Sequence, residues 1–198
     1  MKYASSLVAK LGAATLSLAH LIDDAYLSWL SQPQGERSIY RVIRRARPVR
    51  IVELGIGSGR RAERMMRTAV RYANGRGVSY TGIDGFEANE ATVVRISLKQ
   101  AHQQLRCSGC QVRLLPGDPY AVISRHANSL SDTDLLVISA DQPVPPQLWY
   151  FVPRMLHDAS SVLLQNPQST PNPAAFRLVS ASAVRTLAEQ ATERRAAA

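Results

Sequence analysis

From Val49 onward, the chain alternates short apolar segments with longer segments of helical periodicity, and this alternation restricts its fold more than any other feature. Five segments have the length and composition of buried strands: RIVEL, VSYTGID, CQVRLL, DLLVISA and SVLLQ. Strands that alternate with helices pack into a parallel sheet that is covered on both faces. The sequence therefore predicts an α/β fold with a Rossmann-like, doubly wound and mostly parallel sheet.

The segments between these strands have helical spacing. RAERMMRTAVRYA places apolar side chains on one helix face and arginines on the other. The predicted buried positions are Ala62, Met65, Met66, Ala69 and Val70, and the predicted solvated stripe is Arg60, Arg64, Arg67 and Arg71. PPQLWYFVPRML predicts a helix interrupted at Pro153. Beyond the fifth strand, AFRLV is the clear candidate for a further strand, and a last helix is expected from about Ser182.

The first 48 residues predict helices rather than strands. Residues 1–31 have the apolar spacing of an amphipathic helix, and SIYRVIRRAR predicts a short helix that stops before Pro48. Lys10 interrupts the apolar stretch near the start, so neither a membrane-spanning helix nor a good signal peptide is expected. We expect an N-terminal helical cap over residues 1–48, a Rossmann-like domain over residues 49–198, a cytoplasmic location and no membrane partner.

The charge balance is strongly basic. The chain carries 24 lysines and arginines against 15 acidic residues, for a net charge of +9, and only Lys2, Lys10 and Lys99 are lysines. A basic chain is typical of nucleic-acid-binding proteins, and IYRVIRRARPVR and RRAERMMRTAVR would supply the arginines. A positive charge that comes almost entirely from arginine can also reflect the base composition of the genome. No aromatic stacking platform or nucleic-acid-binding motif accompanies the arginines. A nucleic-acid partner stays open but is not favoured.

The two cysteines stand in RCSGC as Cys107 and Cys110. A CxxC pair can form half of a zinc site or a redox pair, but no second pair follows. We favour two small residues at a helix end, with Gly109 as the cap.

A glycine-rich loop follows the first predicted strand, in IVELGIGSG. Its glycines are Gly55, Gly57 and Gly59, and Arg60 comes next. The dinucleotide fingerprint GxGxxG needs a different spacing, and a phosphate-binding Walker loop needs a following GK[ST]. The loop is therefore predicted to hold neither a dinucleotide nor a nucleoside triphosphate. Ligands of doubly wound sheets lie at the carboxyl ends of the strands, where this loop begins.

The loop resembles the E/D-x-G-x-G-x-G motif of class I S-adenosylmethionine (SAM)-dependent methyltransferases, and Glu53, Gly55, Gly57 and Gly59 match it position by position. Glycines let the backbone approach the methionine part of such a cofactor. A carboxylate at the strand end can face its ammonium group, directly or through water. The resemblance implies SAM as cofactor, and it extends in element order over roughly residues 36–180.

Further positions match that family at the ends of the next two strands. Asp84 closes the second strand, where a carboxylate can accept hydrogen bonds from a ribose diol. Gly85 leaves room beside it, and Phe86 is placed to flank the adenine. Asp118 follows the third strand, where the family often has an acid near the adenine amino group; it could equally cap the helix that begins at Pro119.

Within the superfamily, the chain is most similar to small O-methyltransferases of the catechol and caffeoyl-CoA type, which also begin with helices that cap the site. Their fourth strand commonly ends I-D-A-D-K and their fifth is followed by D-N. This chain has Ile138-Ser139-Ala140-Asp141-Gln142 and Gln165-Asn166 at those places. Ser139 and Gln165 replace two metal-binding aspartates, and Gln142 replaces a lysine that helps to deprotonate the substrate. Because hard divalent ions need several carboxylate oxygens, no metal site is expected.

Three functional hypotheses remain. We favour a metal-independent methyltransferase that acts on a small molecule, with Asp141 as base or acceptor clamp and with His157, Tyr150 or Tyr120 nearby. The alternative is a non-catalytic protein that binds the nucleoside cofactor or an acidic partner. The third is a basic nucleic-acid-binding protein. The identity of the acceptor and a homodimeric state stay open.

Overall fold

A six-stranded sheet forms the centre of the molecule, with strand order β3-β2-β1-β4-β5-β6. The computed structural model describes residues 22, 25–30, 34–86, 96–106, 109–139, 144–165 and 175–196. Strands β1 to β5 all run parallel to one another, and β6 is antiparallel to β5. The prediction of a doubly wound, mostly parallel sheet is confirmed.

Strands and helices alternate along the chain as the periodicity predicts. The strands are β1 (Arg50–Leu54), β2 (Ser79–Asp84), β3 (Gln111–Pro116), β4 (Thr133–Ile138), β5 (Leu156–Gln165) and β6 (Phe176–Val179). The α-helices in the described ranges are α1 (Arg37–Ala46), α2 (Arg60–Tyr72), α3 (Leu98–Leu105), α4 (Pro119–His126), α5 (Val152–Met155) and α6 (Ala181–Ala196). Short 3-10 helices occupy Gln34–Glu36, Ala127–Leu130 and Pro146–Tyr150, and a π-helical turn occupies Tyr26–Leu30.

Each face of the sheet has its own hydrophobic core. Alternate residues of β4 point to opposite faces: Leu135 and Val137 belong to one cluster, and Leu136 and Ile138 to the other. Helices α1, α2 and α3 cover the first face, and α4, α5 and α6 cover the second. Both faces are therefore dry, as the continuously apolar sequence of β4 requires.

Helix α2 buries most of the predicted face, with one exception. Ala62, Met65, Met66 and Ala69 have no exposed surface. Val70 was expected with them but is 38% exposed, so that prediction was wrong. The buried side of α2 lies further round the helix, where α1 packs against it, and includes Thr68 in place of Val70. The Thr68 hydroxyl donates to the carbonyl of Arg64, which satisfies it inside the core.

The segment between β4 and β5 differs from the single interrupted helix expected there. It forms the 3-10 helix Pro146–Tyr150 and then α5, and the break falls at Phe151 rather than at Pro153. Proline is tolerated in the first turn of a helix because its missing N–H has no intrahelical partner there. Strand β5 begins at Leu156, earlier than predicted, and carries a bulge before Ser161.

Helix α1 and the last two elements of the chain follow the prediction. AFRLV contains the antiparallel strand β6, and the last helix begins at Ala181. Helix α1 ends at Ala46, before Pro48. Most of the predicted helix over residues 1–31 lies outside the described residues, and the division at residue 48 stays a prediction. No helix within the described ranges has the length and apolar character needed to cross a membrane.

The cysteine segment only partly meets its prediction. Cys107 lies outside the described residues, and Cys110 is half-buried against the first core cluster. Gly109 has a left-handed φ of 73°, but α3 already ends at Leu105. Gly109 therefore serves the turn into β3 rather than capping the helix.

Candidate functional site

The carboxyl ends of strands β1 to β4 meet at one edge of the sheet. Backbone hydrogen bonds of 2.9 Å continue the ladder past the strand ends: Gly55 N–H to Ile83, Gly117 N–H to Asp84, and Ser139 N–H to Leu54. The sequence-predicted residues at these ends are therefore brought together along a single edge. This is the edge at which ligands of doubly wound sheets bind.

The glycine loop turns sharply between β1 and α2. Gly55, Gly57 and Gly59 have φ values of 81°, 59° and 77°, a left-handed region that side chains disfavour. A Cβ atom at Gly59 would lie 2.8 Å from Ile96 Cδ1. The middle of the loop is accessible, since Gly57 is half-buried and Ser58 is exposed. The loop thus presents backbone atoms to the carboxyl edge without side chains in the way.

Asp84 holds the loop in this shape. Its Oδ2 accepts hydrogen bonds from Ile56 N–H at 2.7 Å and from Gly57 N–H at 3.2 Å, and its Oδ1 accepts from Phe86 N–H at 3.3 Å. The residue is only 2% exposed. The predicted contact between Asp84 and a ribose stays a prediction.

Glu53 lies beneath the loop in a network of buried polar groups. It has no exposed surface. The Nε of Arg61 donates to its Oε1 at 2.6 Å, and the hydroxyl of Tyr80 donates to its Oε2 at 2.5 Å. Arg61 Nη2 also donates to the Gly55 carbonyl at 2.5 Å. Both oxygens of Glu53 are therefore engaged from within the protein, and Arg61 ties the acid to the backbone of the glycine loop.

This burial shifts the protonation of all three groups. Burial raises the pKa of the Glu53 carboxyl, and the Arg61 guanidinium and the Tyr80 hydroxyl oppose that rise. Burial alone would lower the pKa of Arg61, but the Glu53 charge outweighs it and raises that pKa. Burial and the Glu53 charge raise the pKa of Tyr80 well above its ordinary value. Arg61 therefore remains a cation and Tyr80 a hydrogen-bond donor over the physiological pH range.

Sequence reasoning missed Arg61 and Tyr80. Glu53 itself indicated that such partners must exist, because a carboxylate near the end of a buried strand needs a counter-charge or several hydrogen-bond donors. Arg60 and Arg61 both stand next to the loop in sequence. Only the structure shows that Arg60 points to solvent and that Arg61 turns inward.

The remaining predicted cofactor residues have local roles that the structure shows. Asp118 is exposed and caps α4, where its Oδ1 accepts from Ala121 N–H at 2.9 Å. This confirms the capping alternative. Phe86 is 4% exposed and packs in the first core cluster, and Gly85 beside it is half-buried. Contacts of these three residues with an adenine stay predictions.

The positions that carry metal ligands in the resembling enzymes contact each other here through neutral groups. The Ser139 hydroxyl donates to Gln165 Oε1 at 3.0 Å, and Ser139 is fully buried. Among the residues that the structure describes, no three His, Cys, Asp or Glu side chains are grouped as a metal would require. This donor set does not fit a divalent ion. Asp141, Gln142 and Asn166 lie outside the described residues.

The three neighbours predicted for Asp141 lie in different places. His157 stands at the amino end of β5, where its Nε2 lies 3.0 Å from Asp134 Oδ1. This is the opposite edge of the sheet, so its prediction as a site residue was wrong. Tyr120 and Tyr150 pack edge-on against Phe151, with ring centroids 6.0 and 5.1 Å away. Their proximity to an acceptor stays a prediction.

No protein-family profile and no curated protein sequence match the chain. Solved structures match it in fold. The O-methyltransferase TomG of Streptomyces achromogenes, involved in tomaymycin synthesis and solved with SAM, has a TM-score of 0.52 at 15% identity. An O-methyltransferase of Bacillus cereus, solved with S-adenosylhomocysteine (SAH), has a TM-score of 0.54 at 13% identity. CalS11, a TDP-rhamnose 3′-O-methyltransferase of calicheamicin biosynthesis, has a TM-score of 0.52 at 19% identity.

These matches extend over most of each chain. TomG matches 86% of this chain and 76% of its own, the Bacillus cereus enzyme 88% and 76%, and CalS11 79% and 73%. Together with the strand order and the antiparallel last strand, they establish that the chain has the class I methyltransferase fold. At these identities the likeness concerns the fold alone.

Proposed function

We propose that the protein is a SAM-dependent methyltransferase that works without a metal ion and acts on a small-molecule acceptor. The observation that carries the proposal is the glycine loop, held by Asp84 at the carboxyl edge of a sheet with the class I methyltransferase order. Structural neighbours that were solved with SAM or SAH support it. SAM would supply an electrophilic methyl group on a sulfonium.

The residues of this chain would hold such a cofactor in three ways. The backbone of Gly55, Gly57 and Gly59 offers close approach to the amino-acid part. Asp84 would accept from the ribose while it keeps the loop in place, and Gly85 leaves space beside it. Phe86 and Asp118 would lie near the adenine. Leu54 at the strand end and Ile56 within the loop are both buried, so the base of the loop is apolar.

The proposal of metal independence is supported by the contact between Ser139 and Gln165. Their neutral oxygens hydrogen-bond to each other, and neither can balance the charge of a divalent ion. Methyl transfer from a sulfonium needs an in-line approach and an acceptor lone pair, and positioning supplies much of the rate. Asp141 would act as the base or would orient the acceptor.

A labelled-methyl assay tests this function. The purified protein is incubated with SAM carrying a labelled methyl group and with fractionated small metabolites, with and without excess chelator. We expect transfer that persists in chelator, because no carboxylate cage is built at Ser139 and Gln165. Asp141→Asn should reduce transfer by about 100-fold or more, as loss of a general base does. Asp158→Asn, an exposed position at the amino end of β5, is the matched control.

Each outcome has a defined meaning. Transfer abolished by chelator would contradict metal independence. Transfer that survives Asp141→Asn would remove that residue from the mechanism. Cofactor binding without transfer to any acceptor would favour the non-catalytic alternative. Transfer to RNA rather than to metabolites, weakened by added salt, would replace the small-molecule acceptor with a nucleic acid.

A further inference from the structure

The acid of the glycine motif is already paired inside the protein. Glu53 receives one hydrogen bond on each oxygen, from Arg61 and from Tyr80, and it has no exposed surface. Because Glu53 has no surface open to a ligand, an ammonium could reach this carboxylate only if the side chain of Arg61 or Tyr80 moved aside. The departing group would then be a buried and unpaired polar atom, which is strongly unfavourable.

Arg61 is held in place by three different elements. Its Nη2 donates to the Gly55 carbonyl, and its guanidinium lies 5.1 Å from the ring centroid of Phe176 on β6. The Phe176 carbonyl in turn accepts from the Ser38 hydroxyl of α1 at 2.7 Å. The side chain of Arg61 is 12% exposed. An outward movement of Arg61 would therefore break its contacts with Glu53, with the loop and with β6, and β6 is itself held to α1 through Ser38.

The charge around Glu53 is also balanced without a ligand. Arg61 supplies one positive charge to Glu53 at 2.6 Å, and Arg64 supplies another to Glu36 at 3.7 Å. A second cation placed beside Glu53 would meet the guanidinium of Arg61 as well as the carboxylate. Because like charges repel in a buried site, the net attraction for a ligand ammonium is small.

We propose that Arg61 sets the ligand specificity of this site by taking the counter-charge position that the ammonium of SAM would otherwise use. The inference rests on the proposed function and deepens it. The site then recognises the adenosine and sulfur part of its ligand and discriminates little between adenosyl thioethers with and without the α-ammonium group. Arg61 is a specificity-determining residue that acts through Glu53.

Binding of two matched ligands tests the inference. SAH and its desamino analogue, which keeps the carboxylate but lacks the α-ammonium, are titrated calorimetrically into the full chain. A hydrogen-bonded charge pair between ligand and protein is usually worth about tenfold to 100-fold in affinity. For the wild-type protein we expect the two ligands to bind within about threefold of each other. A tenfold or larger preference for SAH would overturn the inference.

Substitution of Arg61 should create the missing preference. In Arg61→Ala, the ligand ammonium can take the position of the guanidinium and become the counter-charge that keeps the buried Glu53 carboxyl ionised, so SAH should be favoured over the desamino analogue by about tenfold or more. Arg61→Gln retains a donor for the Gly55 carbonyl and serves where the alanine variant fails to fold. Arg61→Lys restores the charge and should restore near-equal binding. Arg60→Ala, the exposed neighbour on the same helix, is the matched control. Equal affinities in both neutral variants would refute a role of Arg61 in specificity.

Failure of this inference differs from failure of the proposed function. A strong wild-type preference for SAH overturns the role of Arg61 and leaves methyl transfer intact. Near-equal binding of both ligands, without transfer to any acceptor, supports the role of Arg61 and leaves the protein a binder. Binding of neither ligand overturns both proposals, because the ligand class would then be wrong.

Discussion

Two buried acids at neighbouring strand ends serve the glycine loop in different ways. Asp84 accepts from the backbone amides of Ile56 and Gly57, so it fixes the course of the loop. Glu53 binds the side chains of Arg61 and Tyr80, so it fixes the start of α2 against β2. Asp84 contacts Gly57 in the accessible part of the loop, whereas Glu53 lies beneath the loop with no exposed surface. At the scale of single residues, recognition of the cofactor should therefore depend most on Asp84.

Replacement of Asp84 tests that dependence. Asp84→Ala should weaken SAH binding by about 1.5–3 kcal/mol, the range for a hydrogen bond to a charged group. It should also lower the free energy of unfolding by about 1–3 kcal/mol, because the buried N–H of Ile56 loses its acceptor. Calorimetric titration and urea unfolding measure the two effects, with Asp158→Ala as the exposed control. Unchanged affinity would place the ribose elsewhere.

The buried tyrosines predict the alkaline limit of stability. Burial, and then the charge of Glu36 for Tyr40 or of Glu53 for Tyr80, raises both pKa values above the ordinary 10.0. A raised pKa contributes stability that is complete below pH 10 and is lost as the pH rises, because the unfolded state deprotonates first. The free energy of unfolding should fall above pH 10 by about 1.4 kcal/mol per pH unit for each tyrosine.

Variants separate the contribution of each tyrosine. Above pH 10, the free energy of unfolding of Tyr80→Phe should fall less steeply with pH than that of the wild type. The expected difference is the contribution of one titrating group, about 1.4 kcal/mol per pH unit. Tyr26→Phe is the control, because that ring is 48% exposed. The slope is measured from urea midpoints at stepped pH. Identical slopes for wild type and Tyr80→Phe would show that Tyr80 is not held protonated by the fold.

At the scale of elements, β2 makes room for the glycine loop. Gly82 lies in the middle of β2, and a Cβ atom there would stand 2.5 Å from Ile56 Cδ1 and 3.0 Å from the Tyr80 hydroxyl. Ile56 of the loop and Tyr80, which binds Glu53, therefore leave no room for a side chain at this position. The glycine loop and β2 are therefore in close contact at Gly82, in addition to the backbone hydrogen bond between Gly55 and Ile83.

Gly82→Ala tests this coupling. The added methyl must displace Ile56 or Tyr80, so the free energy of unfolding should fall by about 1–3 kcal/mol. Gly77→Ala is the matched control, because nothing lies within 4 Å of its Cβ position. That variant should be neutral or more stable by up to about 1 kcal/mol, since it restricts the unfolded chain. Equal stabilities of the two variants, measured by urea unfolding, would show that the loop does not press on β2.

At the scale of the whole molecule, the two edges of the sheet have separate tasks. The carboxyl edge gathers the glycine loop, Asp84 and the Ser139–Gln165 contact. The contacts at the amino edge stabilise the fold: Asp134 accepts hydrogen bonds from Val49 N–H and Arg50 N–H at 2.8 Å, and it also contacts His157. A ligand that binds the first edge is therefore expected to leave the second unchanged.

The sequence predicted this architecture because strand and helix periodicities are local properties. The five parallel strands, the position of β6 and the course of α2 all followed from patterns within a few residues of each other. What escaped prediction depends on tertiary packing. The inward turn of Arg61 follows from the loop conformation, and the exposure of Val70 from where α1 packs. His157 lies far from the loop because it stands at the amino end of β5.

Calorimetric titration of the wild-type protein with SAM and SAH tests the central claim, that the glycine loop and Asp84 form a cofactor site, more directly than any other measurement. The proposal predicts saturable heat with about one ligand per chain, because one glycine loop and one Asp84 form the site. It also predicts that Asp84→Ala weakens binding and that Asp158→Ala does not, because only Asp84 holds the loop. No heat and no thermal stabilisation at millimolar ligand would contradict the claim.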